Sequence, residues 1–328
     1  MRLWDLYHGE IPGFLEEAAQ TAAMERLKDV GMNCGCEYTS FPLFAHIGPY
    51  SRYDHSMGVA LIVWHFTADP AQAMSGLLHD IATPAFAHVV DFLRGDHLKQ
   101  ESTEQGTADM IRSSGPLQAV LQRYALPPDA VTDYHRYPIA DNDPPGLSAD
   151  RLEYTLGNGV NFGIISGAQA AELYADLAVG RNESGETELV FRHLDAARAF
   201  AMIALECSEI YVSDPDRYAM QHLAELLKRG IEGGILSEGD LWLPEPAIIG
   251  KLEASPLAHE WVRFCGLSEI LRADAPGPEG LWLKVPAKKR FIDPCVMDAG
   301  RVSALVPVIR ERLRAFREAS QEVWLSAR

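Results

Sequence analysis

The chain has 328 residues, of which 47% are hydrophobic and 23% are charged, and its formal net charge is −17 at pH 7. This composition is typical of a globular protein, and the length allows one large domain or two ordinary ones. A strongly acidic chain repels a polyphosphate backbone at long range, so we expect no nucleic-acid partner. A small nucleotide is still an acceptable ligand, because a metal ion and a few local cations decide its binding.

The sequence contains no run of about eighteen consecutive apolar residues, so we expect no membrane-spanning segment. Residues 1–5 show no cationic segment followed by an apolar one, which argues against a secretory signal. The five cysteines are scattered and odd in number, which is typical of reduced thiols and predicts a cytoplasmic protein. Cys34 and Cys36 form one close pair. Because no second pair follows at a suitable spacing, they are better interpreted as buried small residues than as metal ligands.

Capped turns divide the first half of the chain into short helices. Ser51 is suited to cap a helix, Pro70 follows Asp69 as a first helical residue, and Thr83 and Pro84 repeat this chemistry. The predicted helices of this half cover residues 14–30, 51–66, 70–80, 83–93, 101–113, 116–124, 127–134 and 148–156. Many short helices with few alternating strands predict an all-α core.

The sequence after Gly157 predicts further helices and little strand. The helices cover residues 168–178, 195–211, 215–228 and 302–317, residues 188–191 have the composition of a short strand, and residues 281–285 and 291–292 can form a small β-hairpin. We therefore predict an all-α fold with a helical core at 1–160. A mostly helical accessory region at 161–328, with additional C-terminal helices, is expected to pack on that core.

Histidine and aspartate residues concentrate in three places in the first half. His79 and Asp80 are adjacent behind an apolar run, His55 lies upstream of them and Asp150 lies downstream. Two imidazoles and two carboxylates form a mixed nitrogen and oxygen donor set that suits one divalent ion of Mn, Fe, Co, Ni or Zn. A lone His-Asp dipeptide is more often a helix-end hydrogen bond, so the interpretation depends on the wider pattern.

Three ordered sequence segments make this pattern specific. They are SRYDHSMGV at 51–59, HDIATPAFAH at 79–88 and DRLEY at 150–154, and ERL at 25–27 precedes them. From residue 24 to residue 154 the chain resembles the HD superfamily of metal-dependent phosphohydrolases, and within it most closely the deoxynucleoside triphosphohydrolase branch. The resemblance implies an HD-domain helical core in which His55, His79, Asp80 and Asp150 hold one divalent metal ion from separate helices.

The resemblance also implies a reaction. A metal ion of this kind lowers the pKa of a bound water to generate the nucleophile, and it offsets charge on a phosphoryl group. We therefore predict a metal-dependent phosphohydrolase that acts on a nucleotide or another small phosphate ester through this metal-activated water. The same branch tends to assemble into oligomers, so a homo-oligomer is a further expectation.

Five more residues receive roles from the same resemblance. His88 is the candidate general acid, and Asp91, three residues further on, is its orienting carboxylate. A surface histidine with a helical ion-pair partner is the alternative interpretation of this pair. Arg52, Arg151 and Tyr154 match positions that contact phosphates, a task to which the planar guanidinium of arginine is suited.

Two departures from the family pattern leave two hypotheses open. Thr83 and Thr103 stand where the branch often has phosphate-handling histidines, so the metal set is intact while triphosphohydrolase activity on deoxynucleotides is in doubt. The alternative to an enzyme is a non-enzymatic HD-fold protein that binds a metal or a nucleotide as a regulatory module. Metal-dependent phosphate release favours the enzyme, and ligand-induced stabilisation without turnover favours the binding protein.

Two other groups of residues receive no chemical role. The basic cluster of Lys284, Lys288, Lys289 and Arg290 is interpreted as a solvated hairpin in preference to an anion site. The remaining histidines, His135 among them, are interpreted as core or surface residues without a catalytic task.

Overall fold

The computed structural model of the protein describes residues 3–98 and 106–328, and its regular structure is mostly helical. The α-helices are α1 (Gly13–Ala19), α2 (Ala22–Glu25), α3 (Arg52–Thr67), α4 (Pro70–Leu78), α5 (Val89–Leu93), α6 (Thr107–Ser113), α7 (Gly115–Arg123), α8 (Ala149–Asn161), α9 (Gly167–Ala175), α10 (Leu194–Tyr211), α11 (Asp214–Glu232), α12 (Glu245–Glu253), α13 (Ala258–Cys265), α14 (Val302–Leu305) and α15 (Pro307–Glu318). The strands are β1 (Leu177–Arg181), β2 (Thr187–Phe191), β3 (Ile270–Ala273), β4 (Cys295–Val296), β5 (Gly300–Arg301) and β6 (Trp324–Ala327). Short 3₁₀ turns lie at Leu3–Leu6, Arg26–Asp29, Cys36–Tyr38, Pro128–Ala130, Tyr134–Arg136 and Glu238–Trp242. The predicted all-α character of the core is confirmed.

Side-chain caps fix the starts of the three helices that carry or precede the predicted metal ligands. Ser51 and Asp54 form a reciprocal capping box at the start of α3. Asp69 accepts a hydrogen bond from the Ala71 N–H at the start of α4, with a proline as first helical residue. The Ser148 hydroxyl accepts from the third backbone N–H of α8. These predicted helix starts are confirmed, and they set where the ligand-bearing turns begin.

Glycines allow α3 to approach both of the other two helices closely. A Cβ atom added at Gly76 of α4 would lie 3.3 Å from a methyl carbon of Val59 in α3. A Cβ atom at Gly58 of α3 would lie 2.6 Å from the side chain of Glu153 in α8. Side chains larger than hydrogen would separate the helices at these two points, so the glycines keep α4 and α8 against α3.

Two hydrophobic clusters form the interior, and each draws residues from both sides of residue 160. The first cluster includes Leu61 of α3 and Phe200 of α10. The second includes Phe86 and Leu223 of α11. The division into a core at 1–160 and an accessory region at 161–328 stays a prediction. Within residues 3–98 and 106–328, no helix is both long enough and apolar enough to cross a bilayer.

Two small sheets accompany the helices. One has the strand order β1-β2-β4-β5, in which β1 and β2 form an antiparallel hairpin and β2 runs parallel to β4. The other pairs β3 with β6 in antiparallel register. The predicted short strand at 188–191 is confirmed as part of β2. The hairpin predicted between 281–285 and 291–292 is wrong, because Leu283 pairs with Leu325 instead, with N–O distances of 2.8 Å in both directions.

The predicted helix at 83–93 is wrong at its beginning. Phe86 and Ala87 adopt left-handed backbone angles, with φ of 59° and 46°, which a continuing helix excludes. The N–H of Ala85 donates to the carbonyl of Leu241, and the N–H of Phe86 donates to the carboxylate of Glu245. Tertiary contacts with the second half of the chain therefore replace the first helical turn, and α5 begins only at Val89.

Three other predicted helices are interrupted or shortened. Residues 14–30 divide into α1, α2 and a 3₁₀ turn, and residues 302–317 divide at the extended residue Val306. Residues 127–134 hold the 3₁₀ turn Pro128–Ala130 and the first residue of the turn Tyr134–Arg136. Of the helix predicted at 101–113, residues 101–105 lie outside the described residues, and α6 begins at Thr107. Thr103 lies outside the described residues as well.

Candidate metal centre

The two predicted histidine ligands face each other through the same ring nitrogen. The Nε2 atoms of His55 and His79 are 3.2 Å apart. His55 Nδ1 lies 2.6 Å from Glu153 Oε2, and His79 Nδ1 donates to the Gly76 carbonyl at 2.7 Å. Because a carbonyl and a carboxylate accept hydrogen bonds, these partners place the ring hydrogens on both Nδ1 atoms. The Nε2 atoms of both rings then face one space, which suits either a metal ion or a shared hydrogen.

The two predicted carboxylate ligands lie beside these nitrogens. Asp80 Oδ2 is 3.7 Å from His79 Nε2 and 3.9 Å from His55 Nε2. Asp150 Oδ1 is 3.1 Å from His55 Nε2 and 3.9 Å from His79 Nε2. The ligand atoms of His55, His79 and Asp80 all lie within 4.8 Å of one another, and all three residues are buried. These residues form a possible buried metal site, and their mixed donor set fits a borderline divalent cation.

Helix ends and first turns bring these side chains together. His55 lies in the first turn of α3, and Asp150 is the second residue of α8. His79 caps the C-terminal end of α4, so the following turn carries Asp80 away from the helical path. This turn allows two consecutive residues to face one point, which neighbours within a regular helix cannot do.

Buried charges surround the site and balance one another. Arg52 Nη1 donates to Asp80 Oδ2 at 3.0 Å, and the Thr83 hydroxyl donates to Asp80 Oδ1 at 2.9 Å. Burial disfavours the charge of Asp80, but the attraction of Arg52, His79 and His55 outweighs it and holds the pKa of Asp80 well below its usual range. This carboxylate is therefore ionised at neutral pH, as a metal ligand must be.

The histidine at the centre of the site is held in a strongly anionic environment. Burial favours the neutral ring of His55, but hydrogen bonds with Asp150 and Glu153 outweigh it and raise the pKa of His55 to about 10. Burial raises the pKa of Glu153, which also accepts a hydrogen bond from the Tyr50 hydroxyl at 2.5 Å. Without a metal ion, the carboxylates thus stabilise a proton at the place where a metal would supply positive charge.

His88 and Asp91, the predicted proton-transfer pair, contact each other, and His88 lines the same cavity as the ligand group. His88 Nδ1 lies 2.8 Å from Asp91 Oδ2, and Asp91 is fully buried. Arg290 Nη2 lies 3.5 Å from His88 Nε2. Burial lowers the pKa of His88, Asp91 acts in the opposite direction, and the positive charge of Arg290 lowers it further. The ring is therefore neutral at neutral pH, and the general-acid role of His88 stays a prediction.

The predicted phosphate contacts have other partners in the structure. Arg52 is engaged by Asp80, as described above. Arg151 Nη1 donates to Asn142 Oδ1 at 2.7 Å, and Arg151 Nη2 lies 3.2 Å from Asp141 Oδ1. Arg52, Arg151 and Tyr154 all line the cavity in front of the metal ligands, so their contact with a phosphate stays a prediction.

One cavity of about 650 Å³ connects these residues. The predicted site residues that line it are Arg52, His55, His79, Asp80, His88, Asp150, Arg151 and Tyr154. The sequence interpretation missed Lys288, Lys289, Arg290 and His135, which line the same cavity. Three cations of the cluster that the sequence interprets as a solvated hairpin thus border this cavity, and the choice between a solvated cluster and an anion site stays a prediction. Three adjacent cations in a strongly acidic chain were the feature of the sequence that could have indicated their role.

Comparisons with known proteins agree with a metal-dependent hydrolase of distant relationship. No family model matches the chain. It is 26% identical over 259 residues to the "Uncharacterized protein YdhJ" of Bacillus subtilis, covering 78% of this chain and 76% of that protein. It is 23% identical over 294 residues to the "Metal-dependent phosphohydrolase cns2" of Cordyceps militaris, covering 87% of this chain and 81% of that protein. The chain thus has a distant similarity to a metal-dependent phosphohydrolase and a buried group of residues suited to hold a metal.

Proposed function

We propose that the protein is a metal-dependent phosphohydrolase that acts on a nucleotide or another small phosphate ester. One divalent ion of Mn, Fe, Co, Ni or Zn would be held by His55, His79, Asp80 and Asp150. The observation that carries the proposal is the 3.2 Å approach of two imidazole Nε2 atoms whose Nδ1 atoms both have acceptor partners. Two carboxylates beside those nitrogens complete a mixed nitrogen and oxygen donor set that suits a borderline divalent cation.

A divalent ion bound there would supply a water of lowered pKa and offset the charge of a phosphoryl group. The protein's own residues orient the proposed metal ligands. Glu153 and Gly76 fix the orientation of the two imidazoles, and Arg52 holds Asp80 in its ionised form. These contacts fix the ligand side chains before any ion binds, which limits reorganisation during the reaction.

Cationic side chains make the cavity suitable for an anionic substrate. Lys288 and Arg290 line it, in a chain whose net charge is −17. Lys289 donates to the Arg317 carbonyl near the end of α15 at 2.7 Å, which fixes the segment that carries the other two cations. Guanidinium and ammonium groups pair well with phosphate oxygens, and a cavity of this size fits a small molecule.

The family branch is a separate matter. The closer resemblance to deoxynucleoside triphosphohydrolases stays a prediction. Thr83, at one of the two missing histidine positions, donates its hydroxyl hydrogen to Asp80. A substrate-contacting imidazole is thus absent at this position, which leaves the number of phosphates in the substrate open.

A substrate screen tests the proposal. Metal-loaded protein is incubated with nucleoside mono-, di- and triphosphates and with p-nitrophenyl phosphate, before and after chelation. We expect release of phosphate or of an oligophosphate that stops on chelation and returns with added metal. Thermal stabilisation by a nucleotide without turnover would instead support the non-enzymatic metal- or nucleotide-binding regulatory protein.

A matched pair of variants tests whether the cations that line the cavity, Lys288 and Arg290, contact the substrate. Arg290→Ala removes a guanidinium that lines the cavity, whereas Lys284→Ala removes a cation of the same cluster that pairs with Glu322. We expect Arg290→Ala to raise the KM for phosphate esters, and Lys284→Ala to leave KM unchanged. An equal effect of both changes would argue against a contact between Arg290 and a substrate phosphate.

A further inference from the structure

A second histidine–aspartate pair lies in the same cavity as the first. His135 Nδ1 is 2.8 Å from Asp141 Oδ2, the same atoms and the same distance as in the pair of His88 and Asp91. His135 and Asp141 both line the cavity that contains the metal ligands. The pair therefore has both the geometry and the location of a proton-transfer device.

The surroundings of Asp141 hold this second pair in place. The Asp141 side chain is only 10% exposed, and its Oδ1 atom lies 3.2 Å from Arg151 Nη2. The Ser148 hydroxyl donates to the same oxygen at 3.3 Å. Arg151 is in turn bonded to Asn142 at the start of the loop that leads to α8. A buried carboxylate acceptor fixes the hydrogen of the imidazole on Nδ1 and directs Nε2 away from Asp141.

One aromatic ring separates this pair from the candidate metal centre. The Tyr134 ring lies 4.9 Å from the ring of His79 and 4.3 Å from the ring of His135, between centroids. His135 is not part of the group of three residues whose ligand atoms lie within 4.8 Å. The His135 side chain is 52% exposed, so it is accessible to a bound molecule. A phosphate ester whose phosphoryl group lies at the metal centre would place its leaving group further out in the cavity, beyond the proposed metal ligands.

We infer that His135, positioned by Asp141, is the proton donor to the leaving group, and that His88, positioned by Asp91, is the proton acceptor. This inference rests on the proposed phosphohydrolase function. It transfers to His135 the general-acid role that the sequence predicts for His88. The environment of His88, whose side chain is 20% exposed and lies beside Arg290, favours the neutral ring that accepts a proton.

Every proton moved in this reaction has a donor and an acceptor. A bond forms between a water oxygen and phosphorus while the bond between phosphorus and the leaving oxygen breaks. The water gives one proton to His88, and the leaving oxygen takes one proton from Nε2 of His135. His88 then loses its proton to solvent, and His135 regains one from solvent. Each turnover therefore consumes one water molecule and returns both imidazoles to their starting protonation states.

The dependence on the leaving group tests the inference. p-Nitrophenolate leaves without a proton, whereas the alcohol of a nucleoside monophosphate needs one. We expect His135→Ala to lower kcat for the nucleoside monophosphate by about 10²-fold or more, and to affect p-nitrophenyl phosphate much less, because a general acid contributes about 10²–10⁴-fold. Asp141→Asn should show the same selectivity to a smaller degree, and His135→Gln, which keeps the size but not the proton, should resemble His135→Ala.

A matched control separates this role from a structural one. His193 forms a similar pair with Asp176, is 77% exposed and lies outside the cavity lining, so His193→Ala should change neither rate. Equal losses on both substrates in His135→Ala, or no loss, would overturn the inference while the wild-type activity upholds the phosphohydrolase. Wild-type turnover of the aryl ester alone would also overturn it, and a wild type inactive on every phosphate would overturn the proposed function itself.

Discussion

The carboxylate of Glu153 lies 2.6 Å from Nδ1 of His55, on the side of the ring opposite the candidate metal centre. Glu153 is 1% exposed and also packs closely against Gly58 of α3. An acceptor in this position orients the imidazole and raises its strength as a ligand. The pair thus makes the metal centre dependent on a residue that is not itself among the proposed ligands.

Replacement of this acceptor should weaken metal binding. We expect Glu153→Gln to lower metal affinity by about 10–100-fold. The neutral amide oxygen is a weaker acceptor than the carboxylate for the hydrogen bond from Nδ1 of His55. Calorimetric titration of the metal-free protein measures the change. Glu172→Gln on the exposed face of α9 is the control and should bind as the wild type does. Unchanged affinity in Glu153→Gln would show that Glu153 does not support metal binding through His55.

The fourth ligand is tested by two neighbours on one helix. Asp150→Ala should weaken metal affinity, remove hydrolysis and abolish most metal-dependent thermal stabilisation, because the ion binds the native arrangement of α3, α4 and α8. Arg151→Ala should keep the metal, since its guanidinium contacts the loop at Asn142. Metal titration of both variants decides the matter. Affinity like that of the wild type in Asp150→Ala would remove Asp150 from the ligand set.

The first histidine–aspartate pair predicts a loss of rate without a loss of metal. We expect His88→Ala to keep the metal and to lower turnover by about 10²–10⁴-fold on aryl and alkyl phosphates alike. Asp91→Asn should give a milder loss, because it misorients the ring without removing it. Metal analysis and steady-state kinetics are the measurements. Loss of the metal in His88→Ala would make His88 a ligand instead of a proton-transfer group.

The sequence singled out residues that the structure brings together as a candidate metal centre, whereas it gave no sign of the cations around them. His55, His79, Asp80 and Asp150 occur in ordered segments of recognisable type. Arg290 approaches His88 across 202 residues of chain, and no local pattern encodes such a tertiary contact. The role of His135 was missed for a related reason, because its partner Asp141 lies in an irregular loop. The sequence thus pointed to the residues that gather at the candidate metal centre and missed some of the residues that line the cavity in front of it.

Tertiary contacts also explain the helix that begins later than predicted. Thr83 and Pro84 carry the local chemistry of a helix start, and the sequence predicted one there. The backbone of Ala85 and Phe86 instead bonds to Leu241 and Glu245, which local propensity cannot foresee. Glu245 also lies close enough to a second carboxylate, Glu37, to influence its ionisation.

That carboxylate pair predicts a dependence of stability on pH. Burial, and then the charge of Glu245, raise the pKa of Glu37 from its ordinary 4.5 to about 8. The folded chain therefore holds a proton that the unfolded chain releases. The resulting stabilisation is complete below pH 4.5 and is lost as pH rises from 4.5 to about 8, by at most about 1.4 kcal/mol per pH unit.

A Glu37→Gln variant isolates this effect. Denaturant unfolding of both proteins in the presence of chelator, between about pH 5 and pH 8, gives the free energies of unfolding. We expect the variant to gain stability relative to the wild type as pH rises through this range, because it has no proton to lose. Parallel curves for the two proteins would mean that Glu37 is ionised in the fold throughout.

The metal content of the protein is the most direct test of the central assignment. Protein purified without added metal, and the same protein after chelation and reloading, is subjected to elemental analysis and to the phosphate-release assay. We expect about one divalent ion per chain, and hydrolysis that follows the metal content. No transition metal in the purified protein, and none taken up on soaking, would contradict the metal centre at His55, His79, Asp80 and Asp150.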